Sequence, residues 1–243
     1  MTAATGRTGR AGPGGDADGT TQRAAPVVRR VLGQALFELR TTLRNGEQLL
    51  LTLVLPVLLL VGLSRTTLVD LGSDDRIGVV APGVLALAIM STAFTSQAIT
   101  MAFDRRAGVL RLLVTTPLGR GGLVLGKATG VLALELLQVA LLTAVAASLG
   151  WRPETAGLGY ALLALLLGTL AFSGLAILVA GLLRAEAVLA VANLVWVLLL
   201  VGGAVLLPAS LLPGPVAALA PLLPSGALGE ALRGSLQAGT APL

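Results

Sequence analysis

Residues 103–127 read FDRRAGVLRLLVTTPLGRGGLVLGK, and they separate two long apolar runs. Five of the chain's seventeen Lys and Arg residues fall in this stretch. The sequence on both sides is apolar enough to sit in a bilayer. Over all 243 residues, 55% are hydrophobic, 12% are charged, and the mean hydropathy is +0.91. Soluble domains carry roughly 25% charged residues. Half that share leaves too little polar surface to face water all round, so the expected fold is an all-α polytopic membrane protein. Its length suits five or six spans of ~20 residues each. The chain has no Cys and no His. Disulfides, thiol or imidazole nucleophiles and the usual zinc sites are thereby excluded. No metal site and no directly bound cofactor are expected.

Working back from that stretch, five transmembrane helices are predicted at about 47–64, 77–103, 123–149, 158–183 and 187–207. Pro56 interrupts the first, which a helix in a bundle tolerates. Residues 1–25, rich in Gly, Thr, Ala and Arg, read as a disordered basic tail; no apolar core follows within the first thirty residues, so no signal peptide is expected. Over 26–45, Val28, Leu32, Leu36, Leu39 and Leu43 recur at helical spacing with Arg29, Arg30, Arg40 and Arg44 largely off that stripe. This pattern predicts an amphipathic helix lying in the membrane interface. Trp151 is expected at an outer interface. The Arg184–Glu186 link is very short, so spans four and five are expected to be antiparallel neighbours. Pro208, Pro213, Pro215, Pro221 and Pro224 break the apolar pattern over 208–237, which predicts a re-entrant or interfacial hairpin ending in a short helix with Glu230 and Arg233.

Orientation follows from Lys and Arg. With the N-terminus inside, thirteen of the seventeen lie on the inner side, and Arg65, Arg76, Arg152 and Arg233 lie outside. Residues 104–122 then form an inner loop. The basic residues are read as topology determinants in a multi-pass protein of the cytoplasmic (plasma) membrane, with the lipid bilayer as partner and no nucleic acid.

Several polar groups stand inside spans. Thr92, Ser96 and Thr100 recur every four residues beside Gln97, a face expected to look inward, either for helix packing or toward a polar path. Glu135 and Gln138 share a face of span three. An ionisable residue there is a functional hypothesis by default, and a hydrogen-bonded structural Glu is the other reading. Ala140, Ala144 and Ser148 form a small-residue track suited to close helix contact, and Asn193 in span five is expected to bond to another helix. Gly121–Ala128 fits G-x-x-x-x-G-K, but Ala128 stands where a P-loop needs Ser or Thr, and no strand precedes it. Nucleotide is expected on another polypeptide.

The inner loop carries more than charge. Arg105, Arg106 and Arg111 explain a positive-inside placement, but Val109, Leu110, Leu112 and Leu113 do not need it. A short helix over Arg105–Thr116, seated against a protein partner and ended by Pro117, explains both. At Asp104, Arg105, Arg106, Gly108, Val109, Leu110, Leu113, Thr116, Pro117, Leu118, Gly126 and Lys127 the chain resembles the membrane subunits of ABC-2-type exporters, which include the daunorubicin-resistance permeases. Thr-Pro-Leu followed by Gly-Lys carries the resemblance, which spans about residues 26–237. It departs at Arg111, where the family often has Glu, and in lacking the family's usual sixth span before Leu243. The resemblance implies a permease subunit of an ATP-driven exporter. A separate nucleotide-binding ATPase subunit would hold ATP and magnesium and dock on Arg105, Arg106, Gly108, Val109, Leu110, Arg111, Leu113, Thr116 and Pro117. A second permease copy or a related permease would complete the pathway, and its apolar walls suit a lipophilic drug or lipid. The alternatives are an ATP-independent secondary transporter or channel, and a membrane scaffold without transport.

Overall fold

The computed structural model describes residues 26–66, 75–109, 119–206 and 214–238. Among these the chain is helical, with no strand. Helix α1 spans Val27–Arg44. The next helix, α2, is built of Gly46–Leu49, a π-helical turn at Leu50–Val54, and Leu55–Arg65. α3 runs through Arg76–Arg106, with a π-helical turn at Ser91–Ser96. α4 is Gly119–Ser148, α5 Leu158–Leu182 and α6 Ala185–Gly202. Short α7 (Gly214–Leu219) leads into α8 (Pro224–Ala238). Within these, Arg76–Arg106, Gly121–Ser148, Thr155–Leu182 and Ala185–Gly202 are long and apolar enough to cross a membrane, and the Leu50–Arg65 stretch is a shorter apolar helix.

α3 is the axis of the bundle. Its most apolar window is 89% buried, against 22% for α6. Val84, Met90 and Phe94 on it, with Phe172 on α5, are fully buried. At 31 residues and 1.5 Å per residue α3 is ~46 Å long, so it outruns a ~30 Å hydrocarbon core and carries Arg105 and Arg106 out of it.

α1 packs on α4. Gly126 and Gly130, four apart, permit this: a Cβ at Gly126 would lie 2.6 Å from Gln34 Cγ, and one at Gly130 would lie 3.0 Å from Glu38 Cβ. The small-residue track that α1 uses is therefore this one. Ala140, Ala144 and Ser148 are exposed instead. Val28, Leu32 and Leu36 are also exposed, on a stripe that runs beside buried Ala35. An apolar stripe turned away from the protein suits contact with lipid.

At the other end α8 folds back onto α3 and α5. Leu228, Leu232 and Leu236 are buried against the core. Arg233, 5% exposed, donates to Val205 O (3.0 Å), Ala204 O (3.2 Å) and Glu230 Oε1 (2.9 Å). It thus supplies donors where α6 ends and water is scarce. Trp151 differs from expectation. It is 5% exposed and belongs to the core, because the turn after α4 folds inward under α8.

Candidate functional site

The four-residue repeat on α3 builds one wall of a cleft of ≈ 60 Å³. Thr92, Ser96, Gln97 and Thr100 face Glu38 and Thr42 of α1 and Lys127, Gly130, Val131 and Leu134 of α4. Gln97 is 9% exposed, and its Oε1 has no hydrogen-bond partner among the described residues. Drug-sized ligands occupy pockets of roughly 300–1,000 Å³. This cleft alone is too small for such a ligand.

Gln138 bonds to Thr92, which lines the cleft. Its Nε2 donates to Thr52 O at 2.6 Å, and its Oε1 accepts from Thr92 Oγ1 at 2.9 Å. The first bond has a covalent cause. Pro56 has no N–H for the carbonyl four residues back, which is that of Thr52. The Gln138 side chain supplies the donor that the helix lacks and joins α2, α3 and α4.

Glu135 shares that face of α4 but turns to another helix. It is fully buried, and its Oε2 lies 2.5 Å from the donor Thr169 Oγ1 on α5. The same hydroxyl lies 2.8 Å from Leu165 O, so its one proton serves two acceptors in turn. Glu135 Oε1 has no partner among the described residues.

The root of the 104–122 loop is tightly tied. Lys127 Nζ donates to Glu38 Oε1 and Asp104 Oδ2, both at 2.8 Å, and Gln34 Nε2 donates to the same Glu38 oxygen at 2.9 Å. Asp104 and Lys127 flank the loop, so its two ends are bonded to each other and to α1. Arg105 donates to Gly181 O at 2.5 Å and to Leu183 O, where α5 runs out of its own N–H donors. Arg106 pairs with Glu186 in the first turn of α6. Five helices thus meet at one collar.

The expected short helix over Arg105–Thr116 is corrected at its start. Arg105 and Arg106 are the last residues of α3. Gly108 then takes φ +76°, a left-handed conformation that glycine adopts without strain and that commonly ends helices. Val109 is exposed. Leu110, Arg111, Leu113, Thr116 and Pro117 lie outside the described residues. Asn193 is exposed, and its side chain forms no hydrogen bond among the described residues.

Glu38, Thr52 and Thr169 were missed from sequence. Glu38 left a signal, being the one acidic residue among the four arginines of α1. The two carbonyl and hydroxyl partners left none.

Gly121–Ala128 does not fit a phosphate cradle. It is continuous helix, its Gly126 faces Gln34, and the Lys127 ammonium is held by two carboxylates. Fold and site together define an all-α polytopic membrane protein with a polar inner face and a braced loop at one end. The family profile described as ABC-2 type transporter (membrane) matches residues 35–236, and the chain belongs to that family. It is a permease component of an ABC transporter, not itself an enzyme. No curated protein and no solved structure matches the chain.

Proposed function

We propose that this permease exports a lipophilic substrate, a drug or lipid, across the cytoplasmic membrane, driven by ATP bound with magnesium on a separate ATPase subunit. The end bearing α1 and the 104–122 loop faces the cytoplasm, and the ATPase docks on that loop. One observation carries the reading: the loop leaves from the Asp104–Lys127–Glu38 collar, with Arg105 and Arg106 braced on α5 and α6. A push on a loop rooted in this way moves the axial helix and four of its neighbours together. A freely hinged loop would dissipate the push. Two permease chains complete the pathway, since one chain's cleft is far smaller than a drug-sized ligand needs.

A second reading, proton-coupled secondary transport, is favoured only by the buried Glu135 oxygen that has no partner among the described residues. Flux into proteoliposomes separates the two. Uptake of a lipophilic dye that requires ATP and the ATPase subunit, and persists without a pH gradient, supports the exporter. Uptake that follows the gradient without ATP replaces it.

A further inference from the structure

We propose that the cleft between α1, α3 and α4 binds the uncharged hydroxyl head of a lipid drawn from the leaflet in which α1 lies. Its place in transport, as the point where a lipophilic substrate enters, rests on the exporter reading; the binding itself does not.

The cleft holds one unanswered group. Gln97 lines it, is 9% exposed, and its Oε1 has no hydrogen-bond partner among the described residues. A buried polar atom without a partner is costly, and a ligand that meets it recovers that cost. A hydroxyl meets an amide at either end, donating to its oxygen or accepting from its nitrogen. The rest of the lining suits the same group. Thr92, Ser96 and Thr100 on α3 and Thr42 on α1 add hydroxyls, while Val131 and Leu134 on α4 offer an apolar wall to the carbons that carry the head.

Charge excludes the other common lipid heads. Lys127, Arg105 and Arg106 stand at the collar beside the cleft against Glu38, Asp104 and Glu186, three cations to three anions. The Lys127 ammonium is shared between two carboxylates at 2.8 Å. A phosphate therefore finds no uncommitted lysine, and an ammonium finds no net negative field. Size points the same way. The volume of ≈ 60 Å³ is about two waters' share of the liquid, enough for a hydroxyl or a small diol and too little for a sugar.

The way in is from the side. Along the α3 stripe Thr92 is buried, Ser96 half-buried and Thr100 exposed, so the cleft opens toward Thr100. Phe103, one turn on, is exposed as well. Thr100 precedes Arg105 by five residues, ~7.5 Å along the helix, which sets the mouth just inside the point where α3 leaves the hydrocarbon core. A lipid alcohol entering there keeps its tail among the neighbouring tails and gives up only its head.

The test is equilibrium binding of a tritiated monoacylglycerol to the full chain in nanodiscs, with competitors of the same chain length at matched membrane concentration. Saturable binding is expected, displaced by the monoacylglycerol and by the long-chain alcohol but not by the alkylamine or the alkyl phosphate. Stronger displacement by the monoacylglycerol assigns a diol head, and equal displacement a single hydroxyl. Q97L should weaken binding about tenfold, the size of one ordinary hydrogen bond, and should fold normally because Gln97 Oε1 bonds nothing in the native chain. T100V, at the mouth, should also weaken it, and T129V, whose hydroxyl bonds to Leu125 O on its own helix, should leave it native. No saturable binding, native binding by Q97L, or equal displacement by the amine or the phosphate overturns the proposal. ATP-dependent dye transport is measured with the same protein. Transport without lipid binding removes the site and keeps the exporter; binding without ATP-dependent transport keeps the site and removes the exporter.

Discussion

Gln138 shows how a single side chain compensates for a covalent defect. Pro56 leaves Thr52 O without its usual helical donor, and Gln138 fills that place while also accepting from Thr92. Gln138→Ala removes the donor to a buried carbonyl and the acceptor of a buried hydroxyl and should cost about 1–3 kcal/mol. Thermal unfolding in detergent should therefore show a clear loss of stability, with the helix content of the folded state unchanged. Glu135 behaves differently under substitution. In Glu135→Gln the amide oxygen still accepts from Thr169 Oγ1, so abundance and thermal stability should stay near native. Transport then reads its role: altered kinetics place Glu135 on the substrate or proton path, and unchanged kinetics make it a structural tie between α4 and α5. The presence of these groups was legible from sequence, because a polar residue in an apolar run stands out. Their partners were not. Thr169 and the Thr52 carbonyl come from other helices, and only the three-dimensional fold brings them within 3 Å.

Where hydropathy alone decides, the helix was readable almost to the residue, as in Leu158–Leu182, while Ala185–Gly202 ends five residues short of the expected 207. Boundaries set by local backbone chemistry were less so. The arginines after Phe103 looked like the start of a loop helix, but they extend α3 until Gly108 ends it. Trp151 looked interfacial because Trp often is, yet the fold of α8 buries it. The helix-to-helix ties concentrate on Lys127, which joins α1, α3 and α4. Lys127→Met leaves Glu38 and Asp104 without a shared cation. Their side chains are 24% and 27% exposed, so water softens the loss. About 2 kcal/mol is expected, below the ~3–5 kcal/mol of a fully buried broken pair. Limited proteolysis should find α1 released from α4, with cleavage at the arginines of α1 faster than in the native chain. Unchanged cleavage would show that the glycine contacts at Gly126 and Gly130 hold α1 without the ion pairs.

For the whole molecule, the account needs the basic end inside. A Cys introduced at Ser73 should react with an impermeant thiol reagent in intact cells, and one at Gly108 should react only after permeabilisation. The reverse pattern would invert the molecule and put the collar on the wrong side for an ATPase. The central claim is that the 104–122 loop is the docking element. Leu110 and Leu113 are three residues apart and can share one helical face. Each would contribute roughly 1.5–3 kcal/mol if buried in the partner. Arg111 would affect the rate of association more than its strength. The most direct measurement is co-purification of the ATPase subunit with the Leu110→Asp, Leu113→Asp double variant, at matched membrane abundance. The account predicts loss of the ATPase subunit and of ATP-dependent transport from a protein that still inserts. Recovery of the ATPase subunit at the native yield would contradict it.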